Sequence, residues 1–244
     1  MGKKVYLCGM KVPIIPLLCR DITLPDEVGW GIRFCVSDVY PLLADEVLQD
    51  EWLQRLSATR RAKVEACAHP RSRCLSMGVA LALDGLLQDL GLRERDMSYV
   101  ENEHGKPLFV EHPEIAFNLS HSGRLVAAAI APSHVRIGID LQRIGRYRPE
   151  LVRRVFSVRD REALASARNE ADRERLFTQL WCRAEAYAKA TGDGLQWPFP
   201  EPPAEARFFD FDVDKSTPES FPTGEPSSPA DGAGYCVSLC VLSP

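Results

Sequence analysis

The sequence lacks the features of several large protein classes. It has no apolar run of membrane-spanning length, and Leu125 to Ala131 is among the longest it contains. Its 244 residues carry a formal net charge of −4, so the basic surface that general nucleic-acid binding needs is missing. An apolar content of 45% is that of an ordinary globular protein. We therefore expect a soluble protein that binds neither membranes nor nucleic acids, and we expect a monomer.

Signals for export are also missing. The eight cysteines form no C-x-x-C pair, and several lie in apolar runs where a free thiol behaves as a small hydrophobe. The apolar part of the N-terminus is interrupted by Lys11, Pro13 and Pro16, and no small-x-small cleavage site follows it. The sixth residue, Tyr6, does not fit the myristoylation pattern. These observations predict a cytoplasmic location with reduced cysteines.

Two common kinds of active site are not indicated. The histidines show neither H-E-x-x-H nor zinc-ligand spacing, and there is no G-x-S-x-G elbow. The adjacent Ser120 and His121 suggest a hydrolase, which predicts labelling of Ser120 or Ser122 by a serine-directed reagent. However, neighbours in sequence rarely reach nucleophile–base geometry.

Hydrophobic periodicity predicts an α+β fold. The pattern changes near residue 120, which divides the chain into two lobes, residues 1–120 and residues 121–244. Serine, proline, glycine and acidic residues predict a loop from Lys215 to Gly234. The main elements expected are helices at Arg71–Leu92 and Asp172–Ala190, and strands at Trp30–Val36, Glu114–Leu119, Arg124–Ala131, Val135–Leu141, Ala206–Val213 and Tyr235–Leu242.

The segment WCRAEAYAKATGDGL, residues 181–195, is the most informative part of the chain. It places Glu185 and Lys189 four residues apart on one helix face, and glycines follow that end the helix. One interpretation is a surface ion pair worth about 0.3–0.5 kcal/mol. The other is a site at the helix end that holds a divalent cation and a phosphate together.

A second carboxylate follows a strand pattern in VRIGIDL, residues 135–141. Asp140 at the predicted strand end and Gln142 two residues later project to the same side. Hard cations prefer oxygen ligands, so Asp140 with Glu185 suits magnesium, and Gln142 offers a neutral carbonyl oxygen. The alternative is a buried or capping aspartate.

Two polar segments complete the set. FNLSHSG, residues 117–123, reads as a polar turn in which Ser120 and His121 can donate hydrogen bonds to an anion. EHGKPL, residues 103–108, is a turn that places Lys106 beside a rigid proline, although a lone lysine in a turn is usually only solvated. A satisfied turn without a ligand is the alternative for the first segment.

In this order, GKP, FNLSHS, IGID and W-x-x-x-E-x-x-x-K-x-x-G-x-G-L resemble the 4′-phosphopantetheinyl transferase superfamily, in its two-lobed type that activates peptide and polyketide synthase carrier proteins. The resemblance runs from about Arg60 to Leu195. It implies two similar α+β lobes related by a pseudo-twofold axis, with coenzyme A between them. It also implies a reaction in which a carrier-protein serine attacks the β-phosphate, takes the phosphopantetheine arm and releases 3′,5′-ADP.

The resemblance also implies roles for individual residues. Metal ligands would be Asp140, Gln142 and Glu185 for Mg²⁺, and Glu185 or a metal-bound water would accept the serine proton. Lys189 would contact the phosphates and act with Glu185 in catalysis. The coenzyme A contacts implied are Arg73, Lys106, Ser120, His121 and Lys189.

Two positions depart from the family's pattern. Gln142 stands where an acid is usual, so one metal-site charge is missing. Ala184 stands where a lysine is usual, with Arg183 beside it as a possible substitute charge. An active transferase is the leading hypothesis, and the alternative is a weak or silent member that binds coenzyme A or a carrier protein.

A basic run interrupts this acidic chain. It comprises Arg143, Arg146, Arg148, Arg153, Arg154, Arg159 and Arg161. Carrier proteins are generally acidic, so the segment 143–161 is predicted to contact one, and reversing two or three of these charges should raise KM for the carrier but not for coenzyme A. The alternative is a solvated helix face.

Overall fold

The computed structural model describes residues 14–22, 31–213 and 234–242. The strands are β1 (Ile15–Ile22), β2 (Ile32–Asp38), β3 (Tyr99–Glu101), β4 (Pro107–Phe109), β5 (Ile115–Ser122), β6 (Leu125–Pro132), β7 (Arg136–Arg143), β8 (Arg207–Val213) and β9 (Tyr235–Leu242). The helices are α1 (Tyr40–Ala44), α2 (Glu46–Leu53), α3 (Ala58–Glu65), α4 (Pro70–Gln88), α5 (Pro149–Val155), α6 (Val158–Ala165) and α7 (Glu170–Thr191), with a 3₁₀ turn at Glu94–Asp96. This mixture of helices and antiparallel sheets confirms the α+β prediction.

Two antiparallel sheets and two long helices form four layers. The first sheet has the order β1-β2-β6-β5 and the second the order β7-β9-β8. Alternate residues of β6 face opposite ways: Val126 packs in the core with α4, whereas Ala127 packs in the core shared with β7 and β9. Gly138 of β7 approaches the backbone of α7 on the remaining face of the second sheet. The layer order is therefore α4, first sheet, second sheet, α7.

Side chains of β5 join the two sheets at their edges. Asn118 Oδ1 accepts a hydrogen bond from the backbone N of Ile139 at 2.8 Å. Two residues on, Ser120 Oγ accepts from Leu141 N at 3.2 Å. The same pattern continues where Ser122 Oγ accepts from Arg143 N at 3.0 Å. These side chains satisfy backbone donors on the outer edge of β7, which would otherwise be unpaired.

The prediction of a polar turn at FNLSHSG is therefore wrong for most of its length. Residues 117–122 are part of strand β5, and the chain turns only at Gly123, whose φ is +58°. A strand rather than a turn forms because the small polar side chains alternate and pair with β7 while Phe117 is buried. The Glu114–Leu119 strand prediction was correct in kind but ended too early.

The two ends of α7 follow from its sequence. Asn169 Oδ1 accepts from Asp172 N at 2.8 Å at the first turn. Gly192 adopts φ +80° at the other end, and its N donates to Ala188 O at 2.9 Å. The predicted glycine stop is confirmed, and the predicted helix extends by one residue beyond Ala190, to Thr191.

Several predictions lie outside the described residues or stay predictions. Residues 1–13, on which the absence of export signals was argued, are not described, and of Lys215–Gly234 only Gly234 is described. The division into lobes at residues 120/121 and their pseudo-twofold relation stay predictions, and that position lies inside β5. Within the described ranges, no helix is both long and apolar enough to cross a membrane.

Gly138 allows the closest approach between β7 and α7. A Cβ built on it would lie 2.1 Å from Ala186 O and 2.5 Å from Ala190 N, both backbone atoms that a rotamer change cannot move. We expect Gly138→Ala to lower the free energy of unfolding by about 3 kcal/mol, the upper end of the usual cost of overpacking. Urea unfolding followed by circular dichroism measures this change.

Gly145→Ala is the matched control for that variant. Its built Cβ meets only Arg143 O, at an ordinary 3.7 Å, so we expect a change below about 1 kcal/mol. Equal effects of the two substitutions would contradict the close-approach account of Gly138.

Candidate active site

Asp140 is the centre of a buried polar cluster on the α7 side of β7. It is 1% exposed and is the fifth residue of the eight-residue strand, not its end as predicted. Lys189 Nζ donates to Asp140 Oδ1 at 2.7 Å, and Ser120 Oγ donates to the same oxygen at 2.9 Å. Gln142 Nε2 donates to Asp140 Oδ2 at 3.1 Å, which confirms that residues 140 and 142 share a face.

Lys189 reaches this cluster from the last turns of α7. Its ammonium also donates to Ser120 Oγ at 3.1 Å and to Ile139 O at 3.2 Å. The interpretation of Glu185 and Lys189 as a simple surface pair is wrong, because the ion pair of Lys189 is with the buried Asp140. The lysine side chain keeps 28% of its surface exposed, while its ammonium is held by three protein oxygens.

Glu185 lies one helical turn before Lys189, and its surroundings disfavour the ionised form of its carboxyl group. Burial raises the pKa of Glu185, and the nearby Asp140 carboxylate raises it further. The Lys189 ammonium and a hydrogen bond from Trp181 Nε1 to Glu185 Oε1, 2.8 Å long, act in the opposite direction. The carboxylates of Glu185 and Asp140 thus repel one another in a site from which water is partly excluded. A bound cation would reduce this repulsion.

The donor chemistry of this cluster fits a hard divalent cation with few protein ligands. The described residues contain no group of three or more histidine, cysteine or acidic side chains placed for a metal. Asp140 and Glu185 supply two carboxylates, and Gln142 keeps a carbonyl oxygen while its nitrogen donates to Asp140. Oxygen ligands supplemented by water and substrate phosphate are the usual surroundings of Mg²⁺.

A cavity of about 290 Å³ opens beside the cluster. It lies between the GKP turn and the C-terminal end of α7, and its walls include Lys106, Asn118, Glu185, Lys189 and Leu195. A pocket bounded by two lysines and one acid of raised pKa suits an anionic ligand.

Lys106 closes one end of this cavity and is not the solvated turn lysine of the simpler interpretation. Its Nζ donates to Lys189 O at 2.7 Å, with longer contacts to Ile137 O at 3.3 Å and Ala190 O at 3.4 Å. Burial lowers the pKa of Lys106, and the charge of Arg136 lowers it further. The ammonium thus holds the carbonyl end of α7 against β7, where a cation is favourable.

Ser120 and His121 point to opposite faces of β5. Ser120 is buried and bonded to Asp140, whereas His121 is exposed. Although part of the ring is open to solvent, loss of water around the rest of it lowers the pKa of His121, Lys189 lowers it further, and Asp140 acts in the opposite direction. Because Ser120 donates to a carboxylate and not to the imidazole, the geometry gives no support to the Ser–His hydrolase.

Arg73 and Arg183 do not lie where the sequence analysis expected them to act. Arg73 lies near the start of α4 and is not among the residues that line the cavity, although its Nε is buried without a hydrogen-bond partner within the described ranges. Its contact with coenzyme A stays a prediction. Arg183 pairs with Asp210 of β8 through Nε at 2.9 Å, so it does not replace the charge absent at Ala184.

Sequence reasoning missed the structural roles of several residues around the site. Asn118 and Ser122 fix β5 to β7, Trp181 holds Glu185, and Gly138 lets α7 approach the sheet. The i, i+2, i+4 spacing of Asn118, Ser120 and Ser122 was the available signal, since alternation indicates a strand. The Trp181–Glu185 spacing of four residues was a second one.

Comparisons with known proteins agree with this geometry. A model of the 4′-phosphopantetheinyl transferase superfamily matches residues 136–240, which include Asp140, Glu185 and Lys189. A 4′-phosphopantetheinyl transferase of Bacillus subtilis is 29% identical over 159 residues, 65% of this chain and 69% of that protein.

Two further relatives extend the comparison. The 4′-phosphopantetheinyl transferase gsp of Aneurinibacillus migulanus is 33% identical over 122 residues, 50% of this chain and 49% of its own length. The L-aminoadipate-semialdehyde dehydrogenase-phosphopantetheinyl transferase of Saccharomyces cerevisiae is 26% identical over 220 residues, 86% of this chain and 73% of its own. Residues 136–240, which hold Asp140, Glu185 and Lys189, match the 4′-phosphopantetheinyl transferase superfamily, and the similarity of the chain to these transferases indicates an enzyme of the transferase class.

Proposed function

We propose that this protein transfers the 4′-phosphopantetheine arm of coenzyme A to a serine of an apo acyl or peptidyl carrier protein and releases 3′,5′-ADP. The observation that carries the proposal is the pairing of Lys189 with the buried Asp140, next to a cavity that Lys189 and Glu185 line. Phosphoryl transfer depends mainly on positioning and charge neutralisation, and this cluster provides both.

The proposed roles follow from the contacts. Lys189, fixed by Asp140 and Ser120, directs its ammonium at the pyrophosphate. Glu185 accepts the proton of the attacking serine. Its raised pKa suits this role, because a general base works best when its pKa lies near the working pH. Mg²⁺ held by Asp140 and Glu185, with Gln142 as a neutral third oxygen, would neutralise phosphate charge when bound.

The cavity is the proposed site for the phosphate end of coenzyme A. Lys106 lines it, and its hydrogen bonds to carbonyls hold the wall in place. Ser120 fixes Lys189 from below, and His121 is exposed with a lowered pKa, so at neutral pH it can donate one hydrogen bond without adding charge. Arg73 remains the proposed contact for the more distant 3′-phosphate.

The alternative within the same superfamily is a weak or silent member that binds coenzyme A or a carrier protein. Two observations favour it: Gln142 removes one negative charge from the metal site, and Arg183 is bound by Asp210 and so leaves the charge absent at Ala184 unreplaced. Neither change removes Asp140, Glu185 or Lys189, so we give priority to the active transferase.

The carrier protein, rather than nucleic acid or a membrane, is the proposed macromolecular partner. Arg146, Arg148, Arg154 and Arg159 are exposed, and none of them has an acidic partner among the described residues. The monomeric state stays part of the proposal. The seven described cysteines are free thiols, which supports the proposed cytoplasmic location.

Intact-mass spectrometry of an apo carrier domain, incubated with the protein, coenzyme A and Mg²⁺, tests the proposal. We expect the carrier to gain the mass of the phosphopantetheine arm, and a carrier whose acceptor serine is replaced by alanine to stay unchanged. Tight coenzyme A binding in calorimetry, without any mass gain, would instead support the silent alternative.

A further inference from the structure

Two cysteines lie opposite one another on neighbouring strands of the first sheet. In the antiparallel register of β1 and β2, Cys19 is the partner of Cys35. Directly opposed residues of an antiparallel pair have Cα atoms about 4.5–5.5 Å apart, whichever of the two kinds of pair they form. A disulfide needs a Cα separation of about 4.4–6.8 Å. The backbone therefore already holds these two cysteines at a separation that a disulfide bond can span.

Both side chains face the α4 side of the sheet. Cys35 belongs to the hydrophobic core that α4 shares with the first sheet, and Cys19 packs against the same core. The two thiols share a hydrogen bond, and Cys35 Sγ also lies 3.6 Å from Ala82 O of α4. Both cysteines are free thiols. Their sulfur atoms are therefore neighbours that are not bonded to each other.

The two thiols differ in exposure and in acidity. Cys19 is partly exposed on β1, whereas Cys35 is buried on β2. The hydrogen bond with Cys35 lowers the pKa of Cys19 and outweighs the effect of burial, and the charge of Arg20 lowers the pKa further. The same hydrogen bond and burial raise the pKa of Cys35. A partly exposed thiol of lowered pKa is suited to attack an oxidant first, so Cys19 is the attacking thiol and Cys35 the second one.

The other described cysteines lack this combination of features. Burial raises the pKa of Cys74 to about 11 and those of Cys236 and Cys240 to about 12. Cys182 is buried as well, and its pKa is raised by burial and by nearby carboxylates. Cys67 is partly exposed, but its thiol donates to a backbone carbonyl one turn earlier, and within the described ranges it has no hydrogen bond to a cysteine. Oxidation should therefore be selective for the pair on β1 and β2.

We propose that Cys19 and Cys35 form a reversible disulfide when small disulfides such as glutathione disulfide accumulate, and that this bond fastens β1 to the sheet. The Cys19 thiolate attacks one sulfur of glutathione disulfide, so that a Cys19–glutathione disulfide forms and one glutathione thiolate leaves. That thiolate takes the Cys35 proton, and Cys35 displaces the second glutathione from Cys19. The two cysteines are oxidised, and glutathione disulfide is reduced to two thiols, the second of which takes up the proton that Cys19 released.

The bond would act on a strand with few partners. Among the described strands, β1 lies at the edge of the first sheet and pairs only with β2. A cross-link between them restricts the unfolded chain and so stabilises the fold. The pair faces α4, whereas Asp140 and Lys189 meet on the α7 side of the second sheet. We therefore expect oxidation to stabilise the protein and to leave transfer unchanged, which makes this inference independent of the proposed function.

Peptide mapping of the intact protein without reductant tests the bond directly. Trypsin cleavage after Arg20 and Arg33 places the two cysteines in different peptides. After incubation with glutathione disulfide, we expect a linked pair of peptides that holds Cys19 and Cys35 and that dithiothreitol separates. Cys35→Ser should instead keep glutathione on Cys19, because the second thiol is missing, whereas the matched control Cys67→Ser should still form the linked pair. A wild-type Cys19 that stays reduced or keeps its glutathione, or a Cys35 linked elsewhere, would overturn the inference.

Thermal unfolding measures the consequence of the bond in the wild type itself. The oxidised protein should have a Tm about 6 °C or more above that of the reduced protein. In Cys35→Ser the same treatment should give no such rise. An unchanged or lower Tm for the linked wild type would mean that the bond does not fasten β1 in its native position, and would contradict the proposal.

Discussion

Glu185→Gln is expected to lower kcat for transfer to a carrier protein by about 10²–10⁴-fold, the range for loss of a general base. The amide keeps the size of the side chain and can still accept the hydrogen bond from Trp181 Nε1. It cannot accept the serine proton or contribute negative charge to a metal site. Intact-mass time courses at saturating carrier and coenzyme A measure the change.

The same substitution is expected to stabilise the protein at neutral pH. The folded-state pKa of Glu185 is raised above its ordinary value of 4.5 by burial and by Asp140. The stability contributed by the neutral carboxyl is therefore complete below the ordinary value and lost as pH rises through the folded value. Above that value the wild type buries a charge that the variant does not have.

Thermal unfolding at several pH values checks this sign. The Tm of Glu185→Gln should exceed that of the wild type at about pH 7, and the difference should shrink towards zero below about pH 4. A substitution that stabilises the fold but removes activity usually indicates a charge that function needs and that destabilises the folded state. A lower Tm for the variant at neutral pH would contradict the assigned repulsion between Glu185 and Asp140.

Asp140→Asn is expected to remove transfer and also to destabilise the fold. Asp140 is buried and accepts from Lys189, Ser120 and Gln142. Loss of its charge leaves the Lys189 ammonium in a largely buried position without its counter-ion. Breaking such a pair by removing one partner costs about 3–5 kcal/mol. Because Lys189 is only partly buried, we expect the free energy of unfolding to fall by about 3 kcal/mol.

A double-mutant cycle separates the pair from the general effect of each substitution. We expect Asp140→Asn with Lys189→Met to be more stable than the sum of the single changes, by about 1–3 kcal/mol in urea unfolding. Activity should stay absent in the double variant, because it lacks both the proposed metal ligand Asp140 and the proposed phosphate contact Lys189. Strict additivity would mean that the 2.7 Å contact contributes nothing to stability.

Much of the fold could be predicted because its signals are local. The strand at Tyr235–Leu242 was predicted with the bounds that the structure has, and α7 within two residues at each end, because apolar periodicity and a terminal glycine mark them. The error at FNLSHSG had a physical cause. Asn118 and Ser120 resemble turn residues when read alone, and their partners on β7 lie about twenty residues away in sequence.

For the candidate site, too, the sequence motifs could predict single residues but not the contacts between them. The motifs identify Asp140, Glu185 and Lys189 one by one, but only the packing of α7 on β7 shows that Lys189 pairs with Asp140. The suggestion that Arg183 replaces a missing charge was wrong, because Arg183 pairs with Asp210. That aspartate lies on β8, a strand that follows α7 in the sequence. Pairings of this kind depend on tertiary contacts, which no local pattern contains.

The most direct measurement follows the carrier and the released nucleotide together. An apo carrier domain, coenzyme A and Mg²⁺ are incubated with the wild type, Glu185→Gln and Asp140→Asn, and holo carrier and 3′,5′-ADP are quantified at intervals. The wild type should form both products in equal amounts, and both variants should lose that activity. An unmodified carrier with the wild type, or undiminished transfer in the variants, would contradict a transferase built on Asp140, Glu185 and Lys189.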